Sequence, residues 1–429
     1  MTTTKNNEHK KLNFSSEREQ SQACLNSAEH EKNQGRKVLN VPNLRFPEFQ
    51  GEWEEHYLSD YLDFKNGLNP KPDKFGRGIK FISVMDILNN TVITNDCIRV
   101  SVDVSEEELH NFCVGNGDML FQRSSETLED VGRANVYMDD KPAVFGGFVI
   151  RGKKKAEYNP LFFRYLLASP FARRKIIPMG AGAQHFNIGQ EGLNRVKLHF
   201  ASLDEQKKIA TFLSLLDERI ATQNKIIEDL KKLKSAIIEM EYSHITKNIS
   251  HIGDFIEQTS KRNKDKTIHN VLSVNNRQGF IQQSEQFENR NVASDDTSNY
   301  KIVEKDDFAF NPARINVGSI ARLTLFERGI VSPMYICFRT RDGLLPEYLD
   351  YYFESKPFFT EIQKRLEGSV RQCLSFDGLC NIPLCVPSVE IQRQIGERLS
   401  TLVQEIKLEI DFLELLQKQK KILLYQMFI

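Results

Sequence analysis

The residues able to do chemistry in this chain lie in loops. They are of the kind that touches a partner rather than turns over a substrate. In the first half they are Lys65, Asn66, Asn69, Lys71, Lys74 and Arg77, then Arg123 with Ser124, Arg133, and Gln184 with His185 and Asn187. In the second half they are Lys261, Arg262, Asn263 and Lys264, then Asn275, Asn276, Arg277, Asn311, Arg314, and Arg371 with Gln372. Arg presents a fork to the acceptor edge of guanine, Asn and Gln pair with the edge of adenine, and Lys and Ser meet phosphates. Any exposed loop is rich in these types, so one such residue alone says little. The set is a candidate nucleic-acid surface.

Catalytic patterns do not accompany it. The run from Gly147 to Lys154 comes within one residue of a phosphate-binding loop, but it lacks the final Ser or Thr that would hold magnesium. Its middle, Phe148-Val149-Ile150, reads as an apolar strand. Asn311-Pro312-Ala313-Arg314 lacks the aromatic residue of an amino-methyltransferase motif, and no HExxH or GxSxG occurs. The seven cysteines are odd in number and include no CxxC, so the expectation is reduced thiols and neither a disulfide framework nor a zinc site. Net charge is +0, which counts against a simple nucleic-acid binder working alone. No apolar run has the length of a membrane span and no secretory h-region opens the chain, so the expected location is the cytoplasm.

The elements that must position these loops follow from pattern. Residues 1–40 are rich in Lys, Asn, Glu, Gln and Ser and read as a disordered leader. Order begins at Val41, where Pro42 and Pro47 oppose helix and Trp53 is the only tryptophan. Short strands are expected at 80–84, 91–93, 97–100, 118–121, 143–145, 148–150 and 193–200. A helix is expected from Asn159-Pro160, with Pro160 in its first turn. A long helix then starts at Asp204 as N-cap. Its apolar residues Ile209, Leu213, Leu216, Ile220, Ile227, Leu230, Ile237 and Met240 step by fours and threes, the rhythm of a coiled-coil seam. Gln223 and Lys234 interrupt it.

The same seam returns later as Ile395, Leu399, Leu402, Ile406, Leu413, Leu416, Leu423 and Met427, interrupted by Glu409 and Lys420. Earlier segments repeat as well. Ile252–Ile256 resembles Leu58–Leu62, Asp307–Phe310 resembles Asp118–Phe121, Ser355–Phe358 resembles Ala168–Phe171, and Val389–Gln392 resembles Leu203–Gln206. The chain reads as a duplication in which each half closes on a long helix. About 40 residues of helix span about 60 Å at 1.5 Å per residue. One such helix cannot bury its own seam, whereas two in one chain can bury each other's. The four polar interruptions are expected to mark places where the seam opens toward partners.

Three signatures carry a family resemblance: the opening Leu44-Arg45-Phe46-Pro47 with Phe49, Gly51 and Trp53, the run Asp118–Phe121, and Leu203-Asp204-Glu205-Gln206 leading into the long helix. With the duplicated order of domain, helix, domain, helix, the chain over residues 41–429 resembles the specificity subunit of type I restriction–modification systems. The second copy departs at Glu390-Ile391-Gln392 and has no Trp-containing opening. The resemblance implies an α+β chain with two duplicated target-recognition domains, 41–202 and 247–388. Two long antiparallel helices, 203–246 and 389–429, would separate them about a pseudo-two-fold. It also implies a non-catalytic role: each domain reads half of a bipartite, asymmetric double-stranded DNA site, and the helices set the spacer. They dock two modification subunits, which two restriction subunits join. S-adenosylmethionine, ATP and Mg belong to those partners, none to this chain. The competing readings are a homodimeric coiled-coil adaptor that binds protein instead of DNA, and an enzyme whose site follows no recognised pattern.

Overall fold

The computed structural model describes residues 40–243, 250–276, 278–283, 296–368 and 372–429. The N-terminal stretch expected to be disordered lies outside these residues except for Asn40. The chain divides into two compact units. One runs to Asp217 and includes Lys418–Ile429, and the other is Glu218–Gln417.

In the first unit, Leu62–Asn66, Val149–Lys154, Met119–Gln122 and Ala134–Val136 form an antiparallel sheet in that order. A second sheet sets Phe75–Ile82 between Ser101–Val102, antiparallel, and Ala143–Phe145, parallel. Met119–Gln122 and Ala143–Phe145 are buried along their whole length. That is why both read as unbroken apolar runs instead of alternating ones. The helix Pro160–Ala168 starts as its sequence implies. Asn159 caps it by accepting the N–H of Phe162 at 2.9 Å, and Pro160 occupies the first turn.

Several local expectations give way to tertiary context. Residues 91–93 contribute a single bridge, Ile93 to Tyr137, and 95–97 form a 3-10 turn instead of leading a strand. The expected strand at 193–200 is preceded by the helical turn Gln190–Asn194 and extends only over Lys197–Phe200. The long helix begins at Leu203. Its cap is Ser202, whose hydroxyl accepts the N–H of Glu205 at 3.4 Å, and not Asp204.

The opening segment is a structural brace. Trp53 is buried with its ring edge-on to Phe162 and Phe428, at 5.9 and 6.1 Å between centroids. The Arg45 guanidinium grips the Glu205 carboxylate with two bonds of 2.7 Å, and Glu205 is almost wholly buried. The N–H of Leu44 donates to the carbonyl of Gln426, 2.9 Å away. The segment thereby ties the start of one long helix to the end of the other.

The second unit repeats the plan. Ile256–Thr259, Ile336–Thr340, Phe308–Phe310 and Ile320–Arg322 form the antiparallel sheet. The companion sheet runs Gly279–Gln282, Val271–Asn275, Arg328–Val331 and Lys301–Glu304, and again its inner pair is parallel. Phe308, Phe310, Phe338, Phe353 and Phe358 fill the core together with Ile238, Tyr242 and Leu399 of the long helices.

The long helices are Leu203–Tyr242 and Val389–Gln426. Within the second unit they run antiparallel: Gln223 meets Glu409, while Glu241 meets Arg398. Of the expected seam, Ile209, Leu213, Ile227, Ile395, Leu399, Ile406 and Leu416 are buried, while Leu216, Ile220, Leu230, Leu402 and Leu413 are half-buried. Met240 breaks the pattern. It is 52% exposed, because the helix here packs against the core of the second domain and turns Ile238 and Tyr242 inward instead. The helices also share a clamp. Gln206 accepts the N–H of Asn159 at 3.0 Å and donates to Ala201 at 2.8 Å. Gln392, its copy, accepts the N–H of Leu345 at 2.8 Å and donates to Pro387 at 2.8 Å.

Candidate nucleic-acid interface

In the first unit the loop residues converge through backbone bonding. Ala181 and Asn187 exchange N–H···O bonds of 2.9 Å each, closing a hairpin that carries Gln184 and His185 at its exposed tip. Phe186–Asn187 pairs with Ser124–Ser125, and the Ser124 hydroxyl donates to the Asn187 side chain. The N–H of Ile188 donates to Arg123 at 3.0 Å. Arg123 in turn donates its N–H to Phe148 at 2.9 Å and its guanidinium to the carbonyl of Gly147 at 3.2 Å. Asn69 lies against the same turn: a Cβ on Gly147 would stand 2.0 Å from the Asn69 side-chain oxygen. Glycine lets the Asn69 side chain approach the turn this closely. Asn69, Arg123, Ser124, Gln184 and His185 therefore share one surface, although more than a hundred residues separate the first from the last.

The second unit builds the same device. Glu367 and Cys373 exchange bonds of 2.9 and 2.8 Å, and the N–H of Leu374 donates to Pro312 at 3.0 Å. Gln372, exposed, thus sits beside the loop of Asn311 and Arg314, where Arg314 is exposed too. Arg277 and Arg371 lie outside the described residues.

Other expected contact residues have different employment. Asn311 is buried and organises its own turn. Its side-chain oxygen accepts the N–H of Ala313 at 3.1 Å and its N–H donates to Ser319 at 3.0 Å, so it is a turn-former and not a reader of bases. Asn263 is likewise buried and bridges both backbone groups of Ile268, which leaves Lys261 and Lys264 exposed on either side. Lys65 is half-buried on its strand, donating to Asn111 at 2.9 Å above the Phe112 ring, and Asn66 follows it, half-buried. Lys74 and Arg77 both face Asp103, at 3.5 and 3.2 Å, while Lys71 is exposed. Arg262 bonds Asn299 at 2.9 Å. Arg133 pairs with Asp130 at 2.6 Å and lines a cleft of about 360 Å³ with Arg164 and Arg173. Burial lowers the Arg173 pKa to about 10, and neighbouring Arg133 adds to that.

Asp118 is structural. Its carboxylate accepts the N–H groups of Gly115 and Lys154, both at 2.9 Å, and burial raises its pKa. Asp307 does the same for Glu304 at 2.9 Å and is also raised by burial, with Arg339 opposing the shift. The recurring Asp thus latches strand ends, and no substrate is needed to explain it. Among the described residues, no group of three or more His, Cys, Asp and Glu could hold a metal, and no helix is long and apolar enough to cross a membrane.

Two copies of one scaffold each set a bridged segment, Ala181 with Asn187 and Glu367 with Cys373, beside a loop that ends a central strand. Residues 50–232 match the family model of the type I restriction modification DNA specificity domain. Over nearly its whole length the chain resembles type I specificity subunits. It is 24% identical over 416 residues to the putative type I restriction enzyme MjaX specificity subunit of Methanocaldococcus jannaschii, which covers 90% of this chain and 95% of that protein. It is 23% identical over 214 residues to the EcoKI specificity subunit of Escherichia coli K12, covering 49% of this chain and 44% of that one. In fold it is similar to the S subunit of a type I system from M. genitalium, with a TM-score of 0.54 and 16% identity over 91% of this chain and 99% of that chain. A chain from a structure describing complex assembly and conformational transition of the type I restriction–modification system gives 0.54 and 14% identity, covering 87% and 96%.

Proposed function

We propose that this chain is the non-catalytic, sequence-reading subunit of a type I restriction–modification complex. Each unit reads one half of a bipartite, asymmetric DNA site, and the two long helices set the spacer between the halves. The observation that carries this reading is the repeated convergence of hairpin and strand-end loop, with framework residues such as Gln206 and Gln392 retained and loop residues changed. Identical scaffolds with different surfaces suit two different half-sites.

Adenine methylation and cleavage belong to partner subunits in this reading, two for modification and two for restriction, with S-adenosylmethionine, ATP and Mg bound there. Docking has a candidate surface. The long helices carry apolar residues away from the seam at seven-residue intervals, Ile226, Leu233 and Met240 on the first and Leu408, Leu415 and Ile422 on the second, all exposed. The homodimeric adaptor fits less well, since the helices of one chain already bury Ile227, Ile406 and Leu416.

The deciding experiment maps adenine modification by long-read sequencing in cells that hold the modification subunits, with and without this chain. The expected result is a bipartite motif, methylated only when the chain is present. Modification that is independent of the chain, or a motif without a spacer, overturns the proposal.

A further inference from the structure

Phe148 and Met334 are absent from any pattern of base-reading polar residues, yet their placement is unusual. Phe148 is 68% exposed and Met334 is 60% exposed, among the most exposed large apolar side chains described. They occupy the same place in the two copies. Phe148 ends the turn Gly146-Gly147-Phe148 between strands Ala143–Phe145 and Val149–Lys154. Met334 lies in the turn between strands Arg328–Val331 and Ile336–Thr340. In each copy the preceding strand is the one in parallel pairing, to Phe75–Ile82 and to Val271–Asn275.

The first of these turns is rigidly held. Val149 donates its N–H back to Gly146 at 2.8 Å, and Arg123 binds the carbonyls of both Gly147 and Phe148. Phe148 therefore projects from the surface that carries Asn69, Arg123, Ser124, Gln184 and His185. The Met334 turn is closed by the N–H of Tyr335 on Ser332 at 3.1 Å. A fixed turn that presents an apolar side chain to water in both copies, amid polar loops, is poorly explained by folding, because exposure of this area gains nothing.

We infer that Phe148 and Met334 are the apolar readers of the two half-sites, each pressed against bases of the bound duplex. Apolar side chains on DNA either contact the 5-methyl group of thymine in the major groove or wedge between base steps and unstack them. The difference between a flat ring and a flexible thioether gives the two copies different steric demands, as unlike half-sites require. The inference rests on the DNA-reading function proposed above.

The test uses the assembled complex of the full chain with its modification subunits and a duplex holding its mapped site. Phe148→Ala is expected to lower affinity for that duplex about 10-fold or more, with binding to an unrelated duplex unchanged. In the methylation map it should relax one half-site only, and Met334→Ala should relax the other. Uracil in place of each thymine of the affected half-site separates the two modes. Loss of affinity on uracil substitution that disappears in Phe148→Ala assigns the methyl contact, and insensitivity to uracil assigns the wedge. If wild type methylates a bipartite site and both alanine variants keep its sequence and affinity, the apolar readers are refuted while the parent function stands. If Phe148→Ala instead blocks assembly with the modification subunits, the residue faces protein and the inference falls. Failure of the wild-type chain to direct any bipartite modification removes the parent reading itself.

Discussion

Gln223 donates its side-chain amide to the backbone carbonyl of Glu409 at 3.1 Å and to that residue's carboxylate, and the two stand 186 positions apart, the interval of the repeat. A residue thus meets its own copy, which fixes the register of two antiparallel helices at one point. The sequence had suggested that the four polar interruptions open the seam toward partners. They do not. Gln223 is buried between the helices against Glu409. Lys234 binds Glu354 at 2.6 and 2.8 Å above the Tyr351 ring, and Lys420 binds Asp217 above Tyr165. Lys420 thus ties the second long helix to Asp217 of the first, and Lys234 ties the first long helix to Glu354 of the second domain.

The register pair can be tested by a mutant cycle. Gln223→Leu removes both bonds from the buried Gln223 to the half-buried Glu409 and should cost about 1 kcal/mol, the usual net worth of a hydrogen bond. Gln223→Leu combined with Glu409→Leu should recover much of it, since an apolar pair of similar size suits a seam. Urea midpoints of the three variants measure this. A double variant no more stable than the single one would show that the pair matters only for its size.

Glu205 and Ile391 occupy the same position in the two copies but have opposite surroundings. Glu205 is buried under Arg45, whereas Ile391 is 48% exposed. Glu205→Ile strands a half-buried guanidinium and should destabilise the first unit by about 3–5 kcal/mol. Ile391→Glu should change stability by less than about 0.5 kcal/mol, as surface substitutions do. Denaturation of both variants checks the contrast, and an equal cost would deny the bracing role of Arg45.

The exposed stripe predicts a separation of folding from assembly. Leu408→Asp with Leu415→Asp should leave the helix content and melting midpoint of the isolated chain nearly unchanged, because both side chains already face water. Co-purification of modification subunits should be lost. Retained co-purification would move the docking surface elsewhere.

The ruler predicts a change in spacing without a change in reading. Four residues inserted after Gln223, with four more opposite in the second helix, add about 6 Å while keeping the helix faces nearly in phase. That length is just under two base-pair steps of about 3.4 Å. The methylation map should show a longer spacer between unchanged half-sites. Altered half-sites would reject the ruler.

Much of this molecule was legible before its coordinates. Heptad spacing, the 186-residue repeat and capped helix starts such as Asn159-Pro160 are local or periodic signals, written in the order of side chains. Those determined the duplicated α+β plan and the pairing of the long helices within one chain. Tertiary structure alone decided what each polar residue does. Asn311 and Asn263 look like base readers in sequence, but turns took up their hydrogen bonds. Arg45 and Trp53 form a motif whose purpose appears only when Glu205 and Phe428, distant in sequence, come to meet them. Convergence of Asn69, Arg123 and His185, and the outward projection of Phe148, depend on backbone bonds between strands remote in the chain. No local rule encodes which loops will lie side by side, because that follows from sheet order, and sheet order is settled by burial of the whole core.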